Sequence, residues 1–460
     1  MKLQLKPSFP TFFLCILIGS GWVSNVAAQT VFNLRSFTGY TGDTNSDGAY
    51  PSVAPTLSGN ALYGTTSQGG LLDYGTVYKV NTDGSGYKLL YWFGVGGTYP
   101  SSVLTLSSNT LYGTALLGGN EDAGTLFRLN TDGSNFTVLT HFGGSAGYVP
   151  MGNLALSGNT LYGATSGSDG TTSGYGPHHG TIYRFDVASS NFTTLQYFPY
   201  DGTQGANPKG GLVISGVNLY GTTQNGGSSF PLNGTIFRML DTGGGFQILK
   251  NFDGTYYNPS VGTPFQTNNS GAFPNAGLTI SDGTLYGTTP VAGHFGRGTL
   301  FKINLNGSAF TVLKHFTSLD GTPTTANLIV SNNTIYGTTS SRTFKINTDG
   351  SGYTVLYTNS QEVFLTPEFS SPSLKFYGAT YAGGNFSSGS VIKFDPTGIP
   401  QPSISFQVIP GAIVINWNSS SFLLQSSLTP NGVFTNIPGA TSPFTNPYVG
   451  PQKFFRLISQ

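Results

Sequence analysis

One short phrase recurs seven times along the chain: Leu62-Tyr63-Gly64, Leu111-Tyr112-Gly113, Leu161-Tyr162-Gly163, Leu219-Tyr220-Gly221, Leu285-Tyr286-Gly287, Ile335-Tyr336-Gly337 and Phe376-Tyr377-Gly378. The tyrosines are spaced by 49, 50, 58, 66, 50 and 41 residues. A period of this length means an array of similar units, each burying its apolar face against the next. It makes one large repetitive domain the expectation for a chain of 460 residues. A residue that recurs in every unit is also expected to be scaffold before it is site.

Each unit reads as four short strands. In residues 100–142, Val103–Leu106 is a first strand and Thr110–Thr114 a second that carries the phrase. A Gly-rich loop leads to a third at Thr125–Leu129. The turn Asn130-Thr131-Asp132-Gly133 leads to a fourth at Phe136–Phe142. The strands are rich in β-branched and aromatic residues and bounded by Gly, Asn and Asp, and Asp-Gly supplies the positive φ of a tight hairpin. Four antiparallel strands per unit predict a propeller blade. The seventh unit lacks a fourth strand after Ile392, whereas Val31–Phe37, ahead of the first unit, fits that pattern. The expected fold is therefore an all-β, seven-bladed β-propeller closed by its N-terminal strand, which removes the exposed sheet edge.

The phrase Leu-Tyr-Gly-Thr-Thr, then Gly-Gly, then Gly-Thr-Val-Tyr-Lys resembles the Gloeo/Verruco (GloVer) tandem repeat of secreted bacterial proteins, over about residues 31–398. The resemblance implies a secreted, propeller-like protein and transfers no catalytic residues.

The chain ends support a three-part organisation. Residues 1–29 read as an export signal: Lys2 and Lys6, then the apolar run Phe12–Ile18, then Val26-Ala27-Ala28 before a cleavage point. The expected location is outside the cell, with no membrane span after cleavage. Cys15, the single cysteine, lies inside this segment, so no disulfide is expected in the mature chain. The propeller is assigned to 30–398. Residues 399–460 begin with a proline-marked linker and continue as short strands, including Ile413–Trp417 and Phe454–Leu457, which predict a small β-sandwich-like module. It resembles short C-terminal modules ending in Phe-Phe-Arg-Leu on other secreted bacterial proteins. Trp417 is read as a core residue of that module.

Function is constrained first by charge. Charged residues make up 8% of the chain and the net charge is +1, so electrostatic capture of nucleic acid is not expected. There is no Gly-x-Ser-x-Gly elbow, His-Glu-x-x-His helix or phosphate loop. Asp43–Gly48 begins like a calcium loop, but its twelfth position is Ala54 and no helix follows. No cofactor is expected, and a looser Ca2+ site at that loop is the one metal the sequence leaves open. The basic residue after each third-strand aromatic (Lys79, Arg128, Arg184, Arg238, Lys302, Lys345, Lys393) is read as structural, stacking on aromatics.

Strand alternation places the two-to-three loops and the blade crossings on one face, and that face carries the insertions Ser166–Gly180 and Asp253–Asn275. Variable loops on a rigid frame are where function usually sits. The candidate ligand-binding residues are Tyr175, His178, His179, Tyr256, Tyr257 and Phe265. Aromatic faces with neutral hydrogen-bonding groups suit a sugar. The leading expectation is a secreted, non-catalytic binding or surface-interaction protein for a polysaccharide or cell-surface glycan. The alternatives are a polysaccharide lyase or hydrolase on the same face, which needs converging carboxylates or a His with a base partner, and a structural envelope component.

Overall fold

The structure, a computed structural model, describes residues 30–39, 45–94, 96–167, 179–199, 201–227, 233–257, 266–358, 363–368, 375–395, 404–409, 412–417, 422–427, 435–447 and 454–459. Residues Gln29–Thr397 form one compact unit, built as a seven-bladed β-propeller. Blade one is Thr56–Ser58, Ala61–Thr66, Thr76–Asn81 and Lys88–Trp92, hydrogen-bonded in that order. Blade seven is Val363–Glu368, Lys375–Thr380 and Ser390–Asp395, completed by the N-terminal strand Thr30–Ser36, which pairs antiparallel with Ser390–Asp395. The ring is closed as the offset of the repeat predicts.

Leu-Tyr-Gly is explained residue by residue. Adjacent residues of a strand face opposite sides, so each second strand serves both neighbouring blades. Tyr63 and Val77 of blade one pack with Leu104, Leu111 and Phe127 of blade two. Tyr220 and Ile236 of blade four meet Leu278, Leu285 and Phe301 of blade five. The ring closes with Phe37, Tyr377 and Val391 against Leu62, Tyr78 and Val80 of blade one. The core is thus a series of interblade seams. The Gly is paired across the sheet with the third-strand aromatic, as in Gly113↔Phe127 and Gly221↔Phe237. A Cβ at Gly113, Gly221 or Gly337 would lie 2.6 Å from a ring carbon of Phe127, Phe237 or Phe344. The aromatic ring lies over the glycine, and no other residue leaves room for it.

Thr pairs fix the register next door. Thr66 and Thr76 Oγ1 are 2.7 Å apart, Thr223 and Thr235 2.8 Å, and Thr289 and Thr299 2.9 Å. The cross-strand partner of each phrase tyrosine is equally regular: Tyr63 faces Lys79, Tyr162 faces Arg184 and Tyr286 faces Lys302. The seven basic residues therefore sit on third strands against the phrase tyrosines, away from the axis.

The first strands of five blades are only three residues long, shorter than the sequence suggests. In blade two the inner strand is Thr105–Ser107, and Thr98–Pro100 makes a separate pairing with the end of Thr110–Leu117. Between them the chain crosses toward blade three, where the Val103 N–H donates to Asn153 Oδ1 at 3.1 Å instead of to its own sheet. Inner-strand threonines bridge neighbours in the same way. Thr105 donates to Leu154 O at 3.0 Å, Thr279 to Leu328 O at 2.6 Å, and Thr366 to Pro55 O across the closure.

The insertion Asp253–Asn275 contains a two-residue strand pair, Tyr256–Tyr257 with Gln266–Thr267. The C-terminal strands form two three-stranded antiparallel sheets, with Ile415 of one and Leu424 of the other in a shared small core. No helix among the described residues is long and apolar enough to cross a membrane.

Candidate ligand site at the propeller axis

The crossings into five blades share a backbone device. Tyr50, Tyr99, Val149, Asn207 and Phe273 each precede a proline and each has φ between 54° and 58°. A left-handed, non-glycine residue before proline is strained and must be held by its surroundings. Its N–H is held by the preceding blade: Tyr99 donates to Tyr74 O at 2.9 Å, Val149 to Ala123 O at 2.9 Å and Asn207 to His179 O at 2.8 Å. The proline then seats on a glycine of that blade. A Cβ at Gly75 would lie 2.7 Å from Pro100 Cδ, one at Gly180 2.6 Å from Pro208 Cδ, and one at Gly234 2.9 Å from Pro274 Cδ. These locked crossings bring the residue after each proline to the centre of the ring.

There they line a cavity of about 550 Å3. Ser52, Ser101, Met151, Lys209 and Asn275, each one residue past the proline, contribute to its wall, and Thr325 of blade six takes the same place. Gln68 and Gln224, just past second strands, also line it, so it opens on the face that carries the two-to-three loops. Ser52, Val53, Asn153, Thr325 and Asn327 are shared with a second cavity of about 440 Å3. That deeper space is lined by Val103, Val213, Leu278, Ile280 and Phe364. Both spaces mix polar and apolar residues: Val53, Leu116 and Met151 border the first, and Asn153, Thr279 and Thr366 the second.

Two polar atoms in the upper wall, Ser101 Oγ and Asn275 Oδ1, are buried with no hydrogen-bond partner. A buried polar group without a partner costs roughly 1–3 kcal/mol. Tyr99 and Tyr381 also border the cavity, each set by a second tyrosine. Tyr74 meets Tyr99 edge to face with centroids 6.5 Å apart, and Tyr50 lies 5.2 Å from Tyr381. Tyr381 is 43% exposed. No Asp, Glu or His among the described residues lines the cavity.

Of the six residues nominated from the insertions, His179, Tyr256 and Tyr257 are among the described residues. Tyr175, His178 and Phe265 lie outside the described residues. Tyr256 is exposed on the 253–275 hairpin, and Tyr257 pairs with Gln266 through its backbone. His179 sits at the junction of blades three and four, its N–H donating to Phe198 O at 2.9 Å. Neither His179 nor Tyr256 borders the axial cavity. The signal for the cavity lay in the recurring proline and the residue after it.

Of the calcium-like loop, Asp43 and Thr44 lie outside the described residues, and Asp47 is paired with Arg35, whose guanidinium stacks 4.2 Å from the Tyr87 centroid. Among the described residues no three His, Cys, Asp or Glu side chains gather at one point. His315 stacks on His294 at 3.6 Å, and its Nδ1 accepts the His294 N–H at 3.1 Å. Burial, then the neighbouring His294 and Lys314 charges, push the His315 imidazole down to about 4.

The sequence profile of the Gloeobacter/Verrucomicrobia repeat matches residues 19–176 and 167–343. The chain belongs to this repeat family. The matched residues run from the N-terminal closing strand into blade six, with the Leu-Tyr-Gly phrase on each second strand there. No curated protein matches the chain. Similar solved structures include a nidogen/laminin complex, 16% identical over 65% of this chain and 92% of that one, with a TM-score of 0.40. Another is the extracellular domain of a one component system from B. thetaiotaomicron, 12% identical over 90% of this chain and 47% of that one, with a TM-score of 0.47. A third is an oligogalacturonate lyase in complex with manganese, 10% identical over 80% and 98%, with a TM-score of 0.47.

Proposed function

We propose that this repeat protein is an exported, non-catalytic carbohydrate-binding propeller, and that the sugar seats in the axial cavity on the face of the crossings. The observation that carries this reading is the mixed wall, in which the neutral polar residues Ser52, Gln68, Asn153, Gln224 and Thr325 stand among Val53, Leu116, Met151 and two tyrosines. Sugar hydroxyls both donate and accept, so they fit the neutral hydroxyl and amide side chains of this wall equally. Tyr99 and Tyr381 at the border offer faces for the C–H side of a pyranose. The cavity volume falls in the ordinary range of small-ligand sites, about 300–1,000 Å3. The absence of carboxylates and histidines from the described lining favours binding over hydrolysis or elimination.

The experiment is a glycan array and polysaccharide pull-down with the mature protein, followed by titration of the hits against Gln224→Ala, Thr325→Ala and Tyr381→Ala. Each variant is expected to fold normally and to bind roughly 10-fold or more weakly, the loss of one hydrogen bond or stacking contact in a dry site. Silence of the intact protein across neutral and acidic glycans refutes the reading.

A further inference from the structure

One wall residue departs from the rest in charge. The position after the crossing proline is Ser52, Ser101, Met151 and Asn275 in other blades and Thr325 in blade six, but Lys209 in blade four. The crossing is built equally well around neutral residues, so the fold does not require a cation there. Lys209 is half-buried and has no hydrogen-bond or ion-pair partner among the described residues. Ion pairs among the described residues include those of Arg35, Lys250 and Lys314. Every other cation in those pairs has its carboxylate supplied by an adjoining loop, Asp47, Asp253 or Asp320, whereas the described lining around Lys209 holds no acid. Burial pulls its ammonium below the ordinary lysine value, as expected for a charge drawn from water without a counter-ion.

We propose that Lys209 receives the carboxylate of an acidic sugar, making the axial cavity selective for uronic-acid-containing glycans over their neutral counterparts. The proposal rests on the carbohydrate reading of the same cavity. A flexible ammonium with three donors suits a carboxylate that enters from one side. Ser52, Gln224 and Thr325, elsewhere in the lining, are left for ring hydroxyls. At the matching position of blade seven the sequence has Glu362, outside the described residues. An internal Lys209–Glu362 pair is the competing use of this cation, and the test separates the two.

The test is calorimetric titration of the mature protein with uronic-acid-containing oligosaccharides and with the same oligosaccharides after carboxyl reduction. Wild type, Lys209→Met and Glu362→Gln are compared, with acetate and inorganic phosphate as competitors. The expected result is that wild type prefers the acidic form by roughly 10-fold or more, as a charge-assisted contact gives. The preference should shrink with added salt, vanish in Lys209→Met with binding of the reduced form unchanged, and persist in Glu362→Gln. Acetate and phosphate should compete only weakly, since they lack the ring. Equal binding of acidic and reduced forms by wild type overturns the role of Lys209 while leaving the carbohydrate site standing. A Lys209→Met variant that keeps the acid preference overturns it too, as does a Glu362→Gln variant that gains acid affinity as strongly as the lysine variant loses it. Displacement of the sugar by millimolar phosphate would instead assign the site to small anions.

Discussion

Gly180 and Pro208 belong to adjacent blades, and their contact is so close that a Cβ on the glycine would lie 2.6 Å from the proline Cδ. The same contact joins Gly75 to Pro100 and Gly234 to Pro274. Two sequence signals that look independent, the Gly of Gly-Thr at a third strand and the Pro at the next crossing, are halves of one joint. The joint sets the direction in which the following residue enters the axis, and so it ties the scaffold to the candidate site.

Gly180→Ala should therefore cost more than a left-handed backbone alone. Gly180 has φ +109 and meets both the Pro208 ring and the Thr165 carbonyl, whereas Gly158 has φ +57 with nothing near its missing Cβ. Strain at Gly158→Ala should cost about 1–2 kcal/mol, and the overlap at Gly180→Ala should add roughly 1–3 kcal/mol more. Urea unfolding of the two variants measures the difference. Equal losses would mean that the joint is not tight.

Tyr183→Phe is expected to leave stability unchanged or raise it. The Tyr183 hydroxyl is fully buried and has no partner, and burial drives its pKa far upward. The equivalent positions in four other blades are Phe127, Phe237, Phe301 and Phe344. Removing an unsatisfied hydroxyl recovers up to about 1–3 kcal/mol. A fall in the thermal midpoint would reveal an internal water or a partner for that hydroxyl.

Phe37→Ala should loosen the ring at its closure. Phe37 is fully buried beside Tyr78, 5.2 Å between centroids, directly after the N-terminal strand. Truncating a buried Phe costs about 3–5 kcal/mol. Limited proteolysis should then cut first near the N-terminal strand, with the other blades protected longer. Uniform digestion would argue against a closure seam.

Acidification from neutral pH should weaken the fold through His315. An unfolded histidine titrates near 6.5, whereas His315 in the fold is held down to about 4 by burial and by the charges of His294 and Lys314. Between those values the unfolded chain binds the extra proton, so stability falls as pH drops from about 6.5 to about 4 and is fully regained above 6.5. Blade four has Asn251 at the same register position. His315→Asn should flatten this part of the pH–stability curve, and an unchanged slope would place the effect elsewhere.

Blade count, ring closure and the face bearing the loops were all legible in the residues, because each rests on local patterning repeated seven times. Tyr63 and Leu62 could be recognised as frame, since alternate side chains of a strand must face two neighbours. The first strands were harder to read. Val103 looks like a strand residue, yet its N–H turns to Asn153 of the next blade, a contact no local pattern encodes. The insertions drew attention to Tyr256 and His179, which stand out by composition, while Ser101, Lys209 and Asn275 look like ordinary loop residues.

What the sequence determined alone is the architecture: seven Leu-Tyr-Gly-type strands, six of them with a cross-strand aromatic opposite the glycine, and a displaced first strand that completes the last sheet. Periodicity and strand alternation are short-range properties, so they survive in one dimension. Only the tertiary structure decided that Ser101, Lys209 and Asn275, from three blades and more than a hundred residues of chain, share one cavity wall. Their convergence depends on the curvature of the closed ring and on strained crossings locked between neighbouring blades, and neither exists until every seam has formed.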